Sequence, residues 1–474
     1  MPAASSNSKV AVFQENNPRR SRHLVDPFLI HGKLLCRWQS GILGVRNAEI
    51  QESSIRMKHI GRGTDDDVRM RGFAKRHTVN EAIAWLDAQL HPLASESLPL
   101  RNAAGRVLAT SVVSDFDVPG FDRATMDGYA VIADSTDGAT AYTRLPLTVV
   151  GDSMPGCPFE GVVSSGEAVR IMTGAPIPHG ADAVLPAEWI EIEKDGKPNI
   201  ISALASVSPG KNLGRRGEDI VRGDTVFKTG RVLRPQDLGV LSSIGHGKVN
   251  VIRRPRVRLA VTGNELLPSG SSPRDFCIAD ANGPMLAALI ERDGGLVDFP
   301  GLVRDDPATI LEALQSDVDV VIVSGGSSVG IEDMAPVLLA QHGELAVHGI
   351  AMRPSSPTGF GRLGDRIVFL LPGNPVSSLC AYDFFAGRAI RALGGHTKEW
   401  PYRKVRGRLS RKISSPIGRL DYARVKIADG IVEPLAVAGA SLLSSTTRAD
   451  GFVIIGDDSE GFAAGAEVDV WLYG

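Results

Sequence analysis

Acidic side chains recur beside glycine-rich turns in this chain. Glu265, Asp305, Asp306 and Asp333 lie in three loops that follow apolar runs. Around them stand Thr262-Gly263-Asn264-Glu265, Ser324-Gly325-Gly326-Ser327-Ser328-Val329-Gly330 and Leu371-Pro372-Gly373-Asn374-Pro375. Glycines let backbone N–H groups approach a phosphate, and serines add hydroxyl donors. Where such a turn opens a helix, an anion is stabilised further. Carboxylates at the same edge could hold a divalent cation through oxygen. A phosphorylated ligand with Mg²⁺ is the simplest chemistry for the set. Taken singly, each phrase also has a plain explanation. A Gly pair makes a tight turn, Asp306 precedes Pro307 as a helix cap should, and Asn374 precedes Pro375 in the same way. Two such elbows on one sheet favour a shared ligand edge. No G-x-x-x-x-G-K-[ST] phrase occurs, which argues against an ordinary nucleotide triphosphatase.

The elements that must carry these turns are legible. From Arg256 onward, strands and helices alternate: strand Val257–Val261, helix Ala281–Arg292, helix Pro307–Leu314, strand Val320–Val323, strand Ile367–Leu371 and helix Val376–Leu393. Such alternation predicts a parallel, doubly wound sheet with its ligand at the carboxyl edge. Upstream, Thr78 and Glu81 form a capping box before the apolar stripe Ala82, Ile83, Leu86 and Leu90. Residues 73–116 and 213–255, the latter with a helix over Pro235–Ile244, read as a helix and strand linker domain. Leu98 to Val113 reads as strand, turn and strand. Residues 117–212 are rich in strands, glycine and proline and read as a small β domain. The α/β domain is placed at 256–399. A second β module is placed at 400–474, with strands around Val432, Leu443, Val453-Ile454-Ile455 and Val468–Leu472. The fold class is thus α/β plus β. Residues 1–72 are charged and turn-rich without sustained periodicity, and disorder is expected there.

Composition narrows the function. A chain of 474 residues with net charge -2 has no basic field to attract nucleic acid. Its four cysteines, Cys36, Cys157, Cys277 and Cys380, form no CxxC pair and suggest neither a disulfide framework nor a zinc site. No apolar run has membrane-spanning length, so no membrane association and a cytoplasmic location are expected.

Further phrases accumulate in order along the chain: Pro119-Gly120-Phe121-Asp122 through Met126-Asp127-Gly128-Tyr129-Ala130, Arg170 to Pro176, Gly180-Ala181-Asp182-Ala183-Val184, Gly217-Glu218-Asp219 and Asp280-Ala281-Asn282. Together with the strand-end turns, they resemble the molybdopterin molybdenumtransferase family, which includes the C-terminal domain of gephyrin. The likeness spans about residues 75–474. It implies an elongated multi-domain subunit, a homodimer in which one subunit's small β domain reaches toward its partner's α/β domain, and insertion of molybdate into adenylylated molybdopterin with Mg²⁺ and release of AMP. A molybdopterin adenylyltransferase and recipient molybdoenzymes are the implied protein partners. Glu265, Asp305 and Asp333 occupy what look like the family's functional and metal-binding acid positions, and Asp127 and Thr173 match functional positions of the β domain. Pterin contacts are implied for Thr262, Gly263, Ser324, Gly325, Gly326, Ser327, Ser328, Gly330, Arg353, Ser355, Ser356, Pro372, Gly373, Asn374 and Pro375.

The chain departs from the pattern at several places. The family's K-P-G-K-P reads Arg353-Pro354-Ser355-Ser356-Pro357, a further family lysine aligns with Gly349, Asn264 replaces an Asp, and Ala124 replaces a Ser. His348, Arg353 and Arg362 are the candidates to replace the lost charge. With fewer cations, a weakly catalytic carrier or sensor of the cofactor is the alternative reading. A receptor-clustering scaffold of the gephyrin kind finds no extra folded domain to support it.

Overall fold

The computed structural model describes residues 76–192, 199–326 and 334–474. The expectation for residues 1–72 lies outside them. At Thr78 the capping box forms in full. Glu81 N donates to Thr78 Oγ1 at 3.1 Å, and Thr78 N donates to Glu81 Oε2 at 2.8 Å. They open helix Val79–Gln89, whose buried Ala82 and Leu86 join the largest apolar core.

Strand Ser95–Pro99 pairs antiparallel with Lys248–Ile252, which joins two stretches far apart in sequence. Leu108, Phe227, Leu241 and Val251 fill the core beneath them. Between these stretches lies a six-stranded sheet. Its order is Ala183–Pro186, Gly128–Val131, Glu167–Ile171, Leu145–Ser153, Ile200–Ala203 and Ile190–Ile192.

The α/β portion holds a seven-stranded sheet. Leu296–Asp298, Arg256–Thr262, Val320–Ser324 and Arg366–Leu371 run parallel in that order, and Leu302–Val303 also pairs with Arg256–Thr262. The expectation of an all-parallel sheet is corrected beyond this point. Gly359–Leu363 and Glu344–His348 add on antiparallel. Leu363 and Arg366 are paired, so only Gly364 and Asp365 connect the strands. A two-residue link makes a hairpin, whereas a parallel partner needs a crossover of a dozen residues.

Helices Asn282–Arg292 and Pro307–Leu314 stand close to their predicted places. The single helix predicted over Val376–Leu393 is instead Pro375–Ala381, a wider π turn over Tyr382–Ala386, and Gly387–Leu393. Trp400 Nε1 reaches the Asp383 carbonyl at 2.9 Å, and Tyr402 Oη bonds the buried Asp383 carboxylate at 3.0 Å. Partners from outside the helix thus satisfy polar groups of the widened turn.

In the C-terminal portion, strands Leu420–Ala428, Ile431–Ala436, Arg403–Leu409, Glu467–Leu472 and Gly451–Ile455 pair in sequence, and the last pairs back with the first. This closes a small barrel and leaves few edges. Leu443, expected in a strand, stands instead just before the short helix Ser444–Arg448.

One buried acid pins the turn into helix Pro235–Ser243. Asp237 is 3% exposed and accepts from Arg231 Nε at 2.9 Å, Arg231 Nη2 at 2.8 Å and Arg234 N at 3.0 Å. The Arg231 bonds hold its carboxyl well below the ordinary carboxylate range. A depressed folded pKa gives stability that is fully present above the unfolded value and is lost progressively as pH falls from there through the folded value. Asp237→Ala is therefore expected to lower unfolding free energy at neutral pH by about 2–3 kcal/mol. Urea titrations at pH 7 and pH 3 check this: the gap between wild type and variant should shrink at the lower pH.

Candidate functional site

Three parallel strands end level with one another. Val261 pairs with Ser324, and Ser324 with Leu371, so the turns after Thr262, Ser324 and Leu371 share one edge. They approach closely because glycines leave the room. Gly325 has φ +99, and a Cβ there would lie 2.1 Å from the Thr262 carbonyl oxygen. A Cβ on Gly373 would sit 3.6 Å from the Cα of Gly325. Gly325 N donates to Leu371 O at 3.1 Å, which ties two of the turns directly.

Asn282 is the cross-tie. It is buried at the start of its helix, and its Nδ2 donates to Ser324 Oγ at 2.9 Å and to Gly373 O at 2.7 Å. Ser378 Oγ lies 3.5 Å from Ser324 Oγ. Asp280 accepts from Gly283 N at 2.9 Å and holds the helix start. Around this frame several buried polar atoms have no hydrogen-bond partner among the described residues: Thr262 Oγ1, Asn282 Oδ1 and Ser356 Oγ. Such atoms are costly unless something else satisfies them.

The acids are placed as follows. A Cβ on Gly263 would meet Glu265 Oε2 at 2.8 Å, so this carboxylate folds back on its own turn. Asp305 Oδ1 would lie 3.7 Å from a Cβ on Gly326, which brings it to the next turn. Asp306 caps helix Pro307–Leu314 through Ala308 N and Thr309 N, and the bond from Thr309 Oγ1 leads in lowering its pKa. The plain reading of Asp306 therefore holds. Ser327, Ser328, Gly330 and Asp333 lie outside the described residues. Among the described residues, no three metal-binding side chains converge.

Pro372 and Gly373 lead into Asn374, which sits at the N-cap position before Pro375. Its side chain makes no capping bond, against expectation. It is exposed at the shared edge, where a ligand can reach it.

The Arg353 phrase differs more. Met352–Arg353 pairs parallel with Leu420–Asp421, and this register sets Arg353 opposite Asp421. Arg353 Nε donates to Asp421 Oδ1 at 3.1 Å, and Nη2 also contacts this fully buried carboxylate. Arg353 is thus held as a structural ion pair rather than as the free cation the sequence suggested. Ser355 is buried with φ +90, a region that favours glycine, and its Oγ donates to Ser377 O. Arg362 cannot supply the charge either. It pairs in register with Ile367, four residues from the Leu371 strand end, which is about 13 Å away. Its Nη1 donates to Gln89 at 3.0 Å. His348 pairs with Gly359, which faces Leu370, and so stands near the correct edge.

Sequence reasoning missed Arg424. This residue is fully buried on strand Leu420–Ala428, and Nη2 contacts the Ala438 carbonyl. Its Nε and Nη1 have no partner, and no carboxylate pairs with it among the described residues. Two residues past Ala438, Ala440 O accepts from Val376 N at 2.9 Å, in the first turn of the Pro375 helix. A buried guanidinium without a counter-ion is suited to an oxyanion. Its signal was a basic residue set between apolar neighbours in the strand Leu420-Asp421-Tyr422-Ala423-Arg424-Val425.

Asp127 and Thr173 meet in the six-stranded portion. Thr173 N and Oγ1 both donate to Asp127 Oδ1 at 2.7 Å and lower its pKa, the backbone bond leading. Among the described residues, no hydrogen bond or ion pair joins this pair to the strand-end cluster.

Comparison with known proteins agrees over the whole described span. Residues 77–245 match the MoeA N-terminal region (domain I and II), 259–392 the Probable molybdopterin binding domain, and 406–473 the MoeA C-terminal region (domain IV). The chain is 34% identical to the molybdopterin molybdenumtransferase of Haemophilus influenzae, over 83% of this chain and 98% of that protein. It is 34% identical to molybdopterin molybdenumtransferase 2 of Mycobacterium tuberculosis, over 79% and 94%. The crystal structure of a molybdopterin biosynthesis moeA protein from Pyrococcus horikoshii superposes with TM-score 0.69 at 32% identity, covering 84% of this chain and all of that one.

The two glycines of one turn should respond differently to substitution. Gly325→Ala must push a methyl into the Thr262 carbonyl and is expected to cost about 3 kcal/mol or more. Gly326, with φ +58, meets nothing closer than 3.6 Å. Gly326→Ala is expected to cost only the left-handed penalty of about 1–2 kcal/mol. Chemical denaturation of both variants measures the contrast.

Proposed function

Since the chain belongs to the molybdopterin molybdenumtransferase family, which acts in molybdenum cofactor biosynthesis, we propose that it inserts molybdate into adenylylated molybdopterin with release of AMP, assisted by Mg²⁺. The observation that carries this reading is the set of unpartnered buried hydroxyls, Thr262 Oγ1 and Ser356 Oγ, with the buried Arg424 held by Ala438 O two residues before the carbonyl that takes Val376 N. Molybdate is a tetrahedral oxyanion, and donors fixed in a buried setting favour it without reorganisation. Glu265 and Asp305 offer hard oxygen ligands near the Thr262 and Gly326 turns, which suits Mg²⁺. When bound, the ion would stabilise charge on the scissile phosphoanhydride. Asp333 would complete the set in this reading. Asp127 and Thr173 would serve the site across a homodimer, from the partner's β portion. An adenylyltransferase would supply the substrate, and molybdoenzymes would take the product. We place the protein in the cytoplasm; no helix among the described residues is long and apolar enough to cross a membrane.

A second reading, a cofactor carrier or sensor, draws on one observation. Arg353 is engaged by Asp421, while Ser356 and Gly349 stand where the family has lysines. Both readings can be tested in one assay with purified protein, adenylylated molybdopterin, Mg²⁺ and molybdate. Molybdate-dependent AMP release is expected, falling by about 10²-fold or more in Glu265→Ala and Asp305→Ala. Arg424→Ala is expected to raise the molybdate KM about tenfold, at the strength of a charged hydrogen bond. Tight pterin binding without AMP release from wild type would establish the carrier instead.

A further inference from the structure

The acid-bearing turn continues into a loop with its own chemistry. Short strands Leu266–Leu267 and Ile278–Ala279 pair parallel, and Ile278 N donates to Glu265 O at 2.9 Å. Between them the chain runs through residues 268–277. Its tip is pinned by two backbone bonds: Cys277 N donates to Arg274 O at 2.9 Å, and Arg274 N to Cys277 O at 3.3 Å. Asp275 at the tip takes φ 50.

That tip presents Phe276, which is 97% exposed. A phenyl ring in water loses all the stabilisation that burial would give it. Two positions earlier, Arg274 is exposed, and its guanidinium has no hydrogen bond or ion pair among the described residues. The Cα of Phe276 is at most about 7 Å from that of Ile278, because two residues span no more. The backbone that carries ring and guanidinium therefore leads directly into the strand tied to the Glu265 turn.

At this site the Arg353 cation is engaged by Asp421, and position 356 carries an uncharged Ser. We propose that the 268–277 loop grips the phosphorylated heterocycle of the substrate, with Phe276 stacking on the flat ring and Arg274 pairing with the phosphate. An aromatic face and a guanidinium side by side are suited to such a ligand. The inference rests on the reading of the site as one for an adenylylated pterin.

The test compares Phe276→Ala and Arg274→Ala with wild type for the KM of adenylylated molybdopterin. Each substitution is expected to raise KM about five- to tenfold, with kcat within about twofold, the scale of one stacking or exposed charged contact. Phe276→Trp adds a direct signal, since its emission should be quenched by substrate and saturate at the KM. Because the ring packs on nothing, folding should be untouched, and circular dichroism checks that. Unchanged KM in both alanine variants, with wild type active, would overturn the loop's role and leave the reaction standing. A KM that changes only when an adenylyltransferase delivers the substrate would also overturn it and make the tip a protein-docking site. Should wild type fail to release AMP, the reading of the reaction fails. The loop is then judged by direct titration: substrate must quench Phe276→Trp and bind Arg274→Ala more weakly.

Discussion

A Cβ on Gly325 would lie 2.1 Å from the Thr262 carbonyl oxygen, and one on Gly373 would lie 3.6 Å from the Cα of Gly325. Backbone therefore meets backbone across the ends of three strands, with no side chain between. Everything else at the site depends on that contact. It lets Asn282 reach both Ser324 and Gly373 with one amide. It also sets Thr262 Oγ1 within a buried rim, without a hydrogen-bond partner among the described residues. Bulk at Gly325 would separate the turns, and the amide could no longer bridge them. The strands supply rigidity from below, since Val320–Ser324 is buried at every position.

Charge is distributed by a simple division. Most guanidinium groups near the α/β portion act as struts. Arg353 holds Asp421, Arg253 holds Asp319 with two bonds, and Arg391 holds Asp293 at 2.9 Å. Paired in this way they fix geometry and have little charge left for a ligand. Arg424 stands apart: it is more deeply buried than these, yet faces a single carbonyl. Retaining an unpaired buried cation is costly, and an oxyanion substrate would offset that cost only while bound.

Local signals were well read from sequence. Thr78 with Glu81, Asp306 before Pro307, and glycine pairs after apolar runs each specify structure within four residues, and each appears as expected. Registers between distant segments were not legible. The pairing of Arg353 with Asp421 follows from a two-residue parallel ladder joining positions 68 residues apart. No local pattern announces it. The antiparallel edge of the main sheet was missed although Gly364-Asp365 was visible as a short turn. The βα rhythm on either side of it hides two strands, Glu344–His348 and Gly359–Leu363, that add on antiparallel. Arg424 was missed because an inward charge on a strand has meaning only once its surroundings are known.

The C-terminal barrel is packed into the same frame as the strand-end turns. Its Leu420 and Asp421 pair with Met352 and Arg353, and its Tyr422 and Phe452 belong to the same apolar core as Val261 and Phe369. Ala440, which follows the barrel strand Ile431–Ala436, takes the N–H of Val376. The turn at Pro372 to Pro375 is thus held from two sides, by Asn282 through Gly373 and by the barrel through Val376. A ligand placed on that turn would touch a surface whose stiffness comes from both portions. The buried Arg424 also comes from the barrel, so the α/β sheet alone would carry the strand-end turns without this cation.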